Sequence, residues 1–237
     1  DRAYRVWAGT FHSLFARILR IEAEHIGYPS NFTIYDTADT KSVLSALVKE
    51  MNLNKEAYGI NTLRSRISSA KSNLIPPKAY RQDRELMEQD RVANRPRFIE
   101  VYEKYMARNK RSGAMDFDDL LYRLYELWQK HPDVLEKYRQ RFRYVLVDEF
   151  QDTNYLQYAI IKKLVKFEGS PENICIVGDD AQSIYAFRGA TIENILSFEK
   201  DFPEVQVYKL EQNYRSTNYI IQAANQVIQN NKRQIPK

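Results

Sequence analysis

The chain has 237 residues, 43% of them hydrophobic and 28% charged, with a formal net charge of +5 and one cysteine, Cys175. It is long enough to bury a core without covalent staples, its composition is that of an ordinary globular domain, and no apolar run approaches the length of a membrane span. One cysteine excludes an internal disulfide and suits a reducing, cytoplasmic setting, and with only three histidines (His12, His25, His131) it argues against a zinc cluster.

The first residues, Asp1-Arg2-Ala3-Tyr4-Arg5, have neither an initiator Met nor a signal-peptide pattern, so the expectation is a piece of a longer protein. Residues 4–8 read as a short strand. Thr10 then leads into Phe11, Leu14, Phe15, Ile18 and Leu19, which recur at helical spacing until Gly27-Tyr28-Pro29-Ser30 breaks the pattern. From Asp36 to about Arg111 the periodicity is wholly helical. One stripe is Val43, Leu44, Leu47, Val48 and Met51, and a second is Leu63, Ile67 and Ala70, ended by Ile75-Pro76-Pro77. A third helix is expected from Arg84 to Asn109. Between Lys55 and Arg111 there are fourteen Lys/Arg against seven Asp/Glu, a net of +7, while the remainder carries 22 against 24, a net of −2. Such asymmetry suits an acidic partner such as nucleic acid and equally a solvated helical surface.

After Gly113 the pattern changes. Phe117, Leu120, Leu121, Leu124, Leu127 and Trp128 predict an amphipathic helix ending near His131-Pro132. Three short apolar runs follow, at 144–147, 174–177 and 205–208, separated by helical stretches through Leu156–Val165 and Ile192–Phe198. Fully buried strands alternating with helices predict βαβ units and a parallel sheet. The helical block between two α/β pieces reads as an insertion.

In open parallel sheets ligands sit beyond the carboxyl ends of the strands, and each predicted strand has a polar cluster there. The first is Asp148-Glu149-Phe150-Gln151-Asp152, the second Gly178-Asp179-Asp180-Ala181-Gln182, the third Glu211-Gln212-Asn213-Tyr214-Arg215-Ser216. Two adjacent carboxylates delivered by an apolar strand can hold Mg²⁺ and orient a water, although such a pair also serves simply to start a helix. Gln182 can contact a terminal phosphate or remain a loop amide. Arg215 can reach a phosphate in bidentate fashion, with Tyr214 stacking on a base and Ser216 capping the last helix, or can be a surface arginine. Tyr185, Phe187 and Arg188, close together on a polar loop, suit single-stranded nucleic acid or a hydrophobic loop anchor. None of the seven glycines is followed by lysine, so the Gly-Lys-Ser/Thr cradle for a triphosphate is absent from these residues.

Five ordered motifs, Thr10-Phe11-His12-Ser13-Leu14, Met115-Asp116-Phe117-Asp118-Asp119-Leu120, Val147-Asp148-Glu149-Phe150-Gln151-Asp152-Thr153-Asn154, Gly178-Asp179-Asp180-Ala181-Gln182-Ser183-Ile184-Tyr185 and Leu210-Glu211-Gln212-Asn213-Tyr214-Arg215-Ser216, resemble those of UvrD/Rep/PcrA-type superfamily-1 DNA helicases. The resemblance implies an α/β, RecA-like parallel sheet flanked by helices, of the P-loop NTPase type but truncated, with an inserted all-helical subdomain. Its pieces are 1–28 and 111–212 for the first motor domain, 29–110 for the insertion, and 213–237 for the start of a second motor domain. It implies ATP and Mg²⁺, with Asp148 on the metal, Glu149 activating the attacking water, Gln182 sensing the terminal phosphate, Tyr214 on adenine and Arg215 acting like an arginine finger. Thr10, Phe11, His12, Phe117, Tyr185, Phe187 and Arg188 would line the single-strand track. Phe187 stands where the family usually has Trp, which keeps a stacking face with less area. The implied partners are single-stranded DNA and single/double-strand junctions, with no membrane, and the implied activity is 3′-to-5′ unwinding in repair or replication. An AddA/RecB-like helicase–nuclease subunit and a non-catalytic DNA-binding module are the alternatives. The chain by itself is expected not to hydrolyse ATP.

Overall fold

Thr10 turns an irregular approach into helix, its Oγ1 accepting the Ser13 N–H at 3.3 Å as the side-chain cap of α1 (Phe11–Glu22). The computed structural model describes residues 6–183, 190–191 and 193–230. Residues 6–8 are not the expected strand; the rest of that run lies outside the described residues. Trp7 packs instead of pairing, its ring 5.2 Å from that of Phe142 and faced by Arg17 at 3.9 Å and Arg141 at 4.8 Å. A large ring fixed this way from the side competes with the ladder geometry of a strand. Gly27, at φ +70°, closes the turn after α1 in a conformation that other side chains rarely adopt.

A short strand follows, β1 (Thr33–Tyr35), and then five helices: α2 (Thr37–Glu50), α3 (Ile60–Ser72), α4 (Pro77–Gln82), α5 (Arg84–Val92) and α6 (Phe98–Arg111). The single helix expected from Arg84 to Asn109 is therefore two. Asn94 adopts φ 55°, the Arg95 N–H closes onto the Asp90 carbonyl at 2.7 Å, and Pro96 has no N–H to continue a ladder. The chain next forms β2 (Ala114–Asp116), which pairs in parallel with β1, Thr33 opposite Ala114 and Tyr35 opposite Asp116. This small sheet clasps the two ends of the helical block, and three-residue strands are too short to show an alternating pattern in sequence. α7 (Phe117–Lys130) and α8 (Pro132–Arg141) follow. The core of this part gathers Leu19, Leu44, Leu63, Tyr102, Tyr105, Leu124 and Trp128, all closed to solvent. Burying each large apolar side chain contributes ~1.5–3 kcal/mol.

Backbone contacts divide the chain into two compact units, Asp1–Arg143 with Leu156–Glu172, and Tyr144–Tyr155 with Asn173–Lys237. The second holds β3 (Val145–Val147) paired in parallel with β4 (Ile174–Ile176), Val147 opposite Ile176. In chain order α9 (Tyr155–Val165) lies between them, as a parallel connection requires. The strands are not fully buried as expected, since Leu146 is 77% exposed while Val147 is closed. The third expected strand, 205–208, is irregular, and Val207 and Tyr208 are exposed. Among the described residues no strand pairs with it, so it gains neither a ladder nor cover. Two short helices, α10 (Glu193–Leu196) and α11 (Phe198–Asp201), precede the last, α12 (Asn218–Ile228). α12 begins on Thr217, not Ser216, because Asn213 Oδ1 accepts the N–H groups of both Arg215 and Ser216 at 2.9 Å and holds Ser216 in the turn outside the helix. The architecture is mixed α/β with short parallel sheets and many helices. No described helix is long and apolar enough to cross a membrane.

Candidate functional site

In the second unit the two acidic loops meet where the sheet pairing puts them. The Val177 N–H donates to the Val147 carbonyl at 2.8 Å, and the Phe150 N–H donates back to the Val177 carbonyl at 2.9 Å. Beyond that point Glu149 adopts φ 49°, ψ 44°, a left-handed conformation that costs a non-glycine residue on the order of 1 kcal/mol or more. Its N–H donates to Asp148 Oδ1 at 2.9 Å. A tight turn over Phe150–Asp152 follows, pinned by the closed Phe150 ring 5.7 Å from Phe198. The strain is held from below by Asn194, whose Nδ2 donates to the carbonyl of Thr153 at 3.0 Å and to its hydroxyl at 3.1 Å.

Both carboxylates face solvent. Among the described residues Asp148 Oδ2 and Glu149 Oε1 accept no hydrogen bond. Exposed, unpartnered carboxylate oxygens are the hard donors that Mg²⁺ takes one or two of, filling its remaining positions with water and phosphate oxygen. The residues present therefore fit such an ion. Burial raises the pKa of Asp152, and the Glu149 charge beside it pushes in the same direction.

The facing loop starts at Gly178. The Asp179 carboxylate accepts the Ala181 N–H at 3.0 Å and the Gln182 amide at 2.9 Å, which folds the loop on itself and leaves Gln182 at the surface. Between the loops lies Gln151, 1% exposed. Its Nε2 donates to Glu149 Oε2 at 2.7 Å and its Oε1 accepts the Asp179 N–H at 3.1 Å. In the sequence Gln151 stands out only as a neighbour of the acid pair. Its signal was a long amide two residues past a carboxylate, on a turn too tight for a helix. The structure brings together Asp148, Glu149 and the Gln182 loop. Tyr214 is 92% exposed and Arg215 is exposed, on an irregular stretch with no described hydrogen bond to those loops. Tyr185, Phe187 and Arg188 lie outside the described residues.

In the first unit a second group forms around the N-termini of α1 and α7. Phe11 stacks obliquely on Phe15, 5.6 Å away. His12 meets Phe117 edge-on at 5.9 Å, and burial lowers the His12 pKa, favouring neutral imidazole. Phe117 is 51% exposed at the first position of α7. Behind it Asp116 caps the helix, its Oδ1 accepting the Asp119 N–H at 2.7 Å, while its Oδ2 accepts Lys71 Nζ at 2.7 Å and the Tyr105 hydroxyl at 2.6 Å. Lys71 continues the apolar stripe of α3, and a lysine in such a stripe was the available sign that a buried acid waits opposite.

A family model described as the UvrD/REP helicase N-terminal domain matches residues 1–203, and the chain belongs to that family. Among curated proteins it is 44% identical over 237 residues to the ATP-dependent DNA helicase PcrA of Leuconostoc citreum, covering all of this chain and 30% of that protein. It is equally 44% identical to the PcrA helicases of Staphylococcus aureus (strain Mu50), over 238 residues, and of Bacillus subtilis (strain 168), over 232 residues, covering 31% and 30% of those proteins. The chain thus spans about 30% of the length of the curated relatives it matches.

Proposed function

We propose that these residues form the water-activating and metal-binding edge, and part of the DNA track, of an ATP-dependent DNA helicase that moves 3′ to 5′ on single-stranded DNA. The observation that carries this reading is the pair of exposed carboxylates, Asp148 and Glu149, tied through Gln151 to the Gln182 loop at the ends of parallel strands. The reading assigns a RecA-like sheet to residues 1–28 and 111–212, the helical insertion to 29–110, and the entry to a second motor domain to 213–237. Asp148 would hold Mg²⁺, which would neutralise phosphate charge when bound. Glu149 accepts the proton of the attacking water, and the neutral amide of Gln182 touches the terminal phosphate without adding charge. Tyr214 stacks on adenine and Arg215 meets the terminal phosphate once the segment bearing them closes over the nucleotide.

Along the DNA track, Phe117 offers an open face for a base beside neutral His12, with Thr10 and Phe11 shaping the turn next to it. The family resemblance assigns single-strand contact to Tyr185, Phe187 and Arg188 as well. The positive excess of the helical block suits the duplex ahead of a junction. No Gly-Lys pair occurs among these residues, so the triphosphate cradle is supplied from elsewhere. The test is strand displacement by the full-length gene product on duplexes with a 3′ or a 5′ single-stranded tail. ATP-dependent displacement of the 3′-tailed duplex is expected; binding of both with displacement of neither overturns the helicase reading.

A further inference from the structure

We propose that Gln151 is the positioning residue that links the state of Glu149 to the Gln182 loop, so that hydrolysis and DNA contact are read by one buried amide. The inference rests on the functional reading above. Three features of the geometry carry it. Gln151 is closed to solvent, yet both ends of its amide are engaged, Nε2 by Glu149 Oε2 at 2.7 Å and Oε1 by the Asp179 N–H at 3.1 Å. Its own carbonyl also accepts the Ser183 hydroxyl at 3.4 Å, at the far end of the same loop. Gly178 leaves the space that the amide fills, since a Cβ there would lie 2.8 Å from Gln151 Oε1 and 3.1 Å from Ile195 Cδ1. A glycine without positive φ, pressed against a side-chain oxygen, marks a close approach that the loop cannot give up.

The chemistry follows from the donor set. While Gln151 Nε2 binds Glu149 Oε2, that carboxylate is fixed in one rotamer, with Oε1 left for a water. Glu149 sits on a strained residue, so a shift in its position moves the short turn that includes Gln151. A buried amide cannot release either partner without leaving a polar group unsatisfied, so the turn and the loop move together. Leu, Met or Ala at this position would fill space and transmit nothing. In sequence the loop runs from Ser183 directly to Tyr185, Phe187 and Arg188.

The experiment uses the full-length gene product and two near-isosteric variants, with Glu149→Gln alongside. Gln151→Glu keeps the acceptor for Asp179 but sets a carboxylate against Glu149, whose titratable neighbours on this turn and the facing loop are Asp148, Asp152, Asp179 and Asp180. Like charges then face each other, Glu149 loses its fixed rotamer, and kcat is expected to fall by about tenfold or more. KM for ATP is expected to stay within about threefold, because Gln151 touches no substrate. Gln151→Met breaks both hydrogen bonds, and DNA stimulation of ATP turnover is expected to fall to under about twofold. An unchanged kcat in Gln151→Glu, a fall in kcat matched by a weakened KM for ATP, or a lower melting temperature with intact stimulation in Gln151→Met, overturns the proposal. If Gln151→Met fails to fold, Gln151→Glu alone decides. Wild-type turnover by Glu149→Gln overturns the functional reading itself, whereas its loss beside an unchanged kcat in Gln151→Glu overturns only the role of Gln151.

Discussion

Lys71 Nζ lies 2.7 Å from Asp116 Oδ2 and 2.9 Å from Asp119 Oδ1, with the lysine side chain wholly sealed from water. Burial alone would push the lysine down, but the two carboxylates hold it charged, well above its ordinary value. Burial likewise opposes ionisation of Asp116, yet the Lys71 charge and the hydrogen bonds from Lys71 and Tyr105 hold it below the usual carboxylate range. The pair joins α3 of the helical block to the residue that caps α7 and so sets Phe117.

Removing the cation leaves buried Asp116 with only neutral donors, the Tyr105 hydroxyl among them, and Asp119 with only Arg123, 3.8 Å away. Lys71→Met is therefore expected to lower the unfolding free energy by ~3–5 kcal/mol, measured by urea denaturation of the chain. A loss below about 1 kcal/mol, the scale of an exposed pair, contradicts the arrangement.

The same pair fixes a pH dependence. A folded-state value of Asp116 below its unfolded value gives stability that is complete above about 3.9 and is lost as pH falls through the folded value. Lys71, raised, gives stability that is complete below about 10.4 and is lost only as pH rises through its folded value. Denaturation midpoints are expected to drop as pH falls below about 4, and Asp116→Asn to flatten that limb. An unchanged limb in the variant contradicts the assignment.

Gly178→Ala forces a methyl group against Gln151 Oε1 and Ile195 Cδ1. Overpacking of this kind costs ~1–3 kcal/mol, and it displaces the amide between the loops. The expected outcome in the full-length gene product is a lower melting temperature together with weakened DNA stimulation of ATP turnover. A stable variant with full stimulation shows that the close approach is dispensable.

Phe117 presents half its surface to solvent while its helix is anchored by Asp116. Phe117→Ala should leave the melting temperature nearly unchanged. Its single-strand affinity should fall by roughly 5- to 150-fold, the ~1–3 kcal/mol of one stacked base, with the salt dependence of binding unaltered because no phosphate contact is removed. Fluorescence anisotropy at several salt concentrations reads both quantities.

The helices and the site were legible to different degrees for physical reasons. α1, α2, α3, α7 and α9 showed in sequence because apolar side chains recur where one face meets the core. The split between α5 and α6 did not show, because it depends on one asparagine in a left-handed turn and one proline inside a highly charged stretch. The β1–β2 clasp was invisible because three residues carry no period, and 205–208 looked like a strand because an apolar run reads the same whether or not a partner pairs with it. Asp148, Glu149 and Gln182 were readable as chemistry at strand ends. The role of Gln151 was not, since only the fold places Asp179 beside it.

The central claim is that Glu149 activates the water that attacks ATP, in a motor whose triphosphate cradle lies outside these residues. The most direct measurement is ATP turnover with and without single-stranded DNA, by residues 1–237 alone and by the full-length gene product, each as wild type and as Glu149→Gln. No turnover is expected from residues 1–237 above their own Glu149→Gln control. In the full-length protein the expected result is DNA-stimulated turnover that falls by at least ~100-fold in Glu149→Gln, the scale of a lost general base, while nucleotide still binds. Clear turnover by residues 1–237, or full-length Glu149→Gln turning over within threefold of wild type, would contradict the claim.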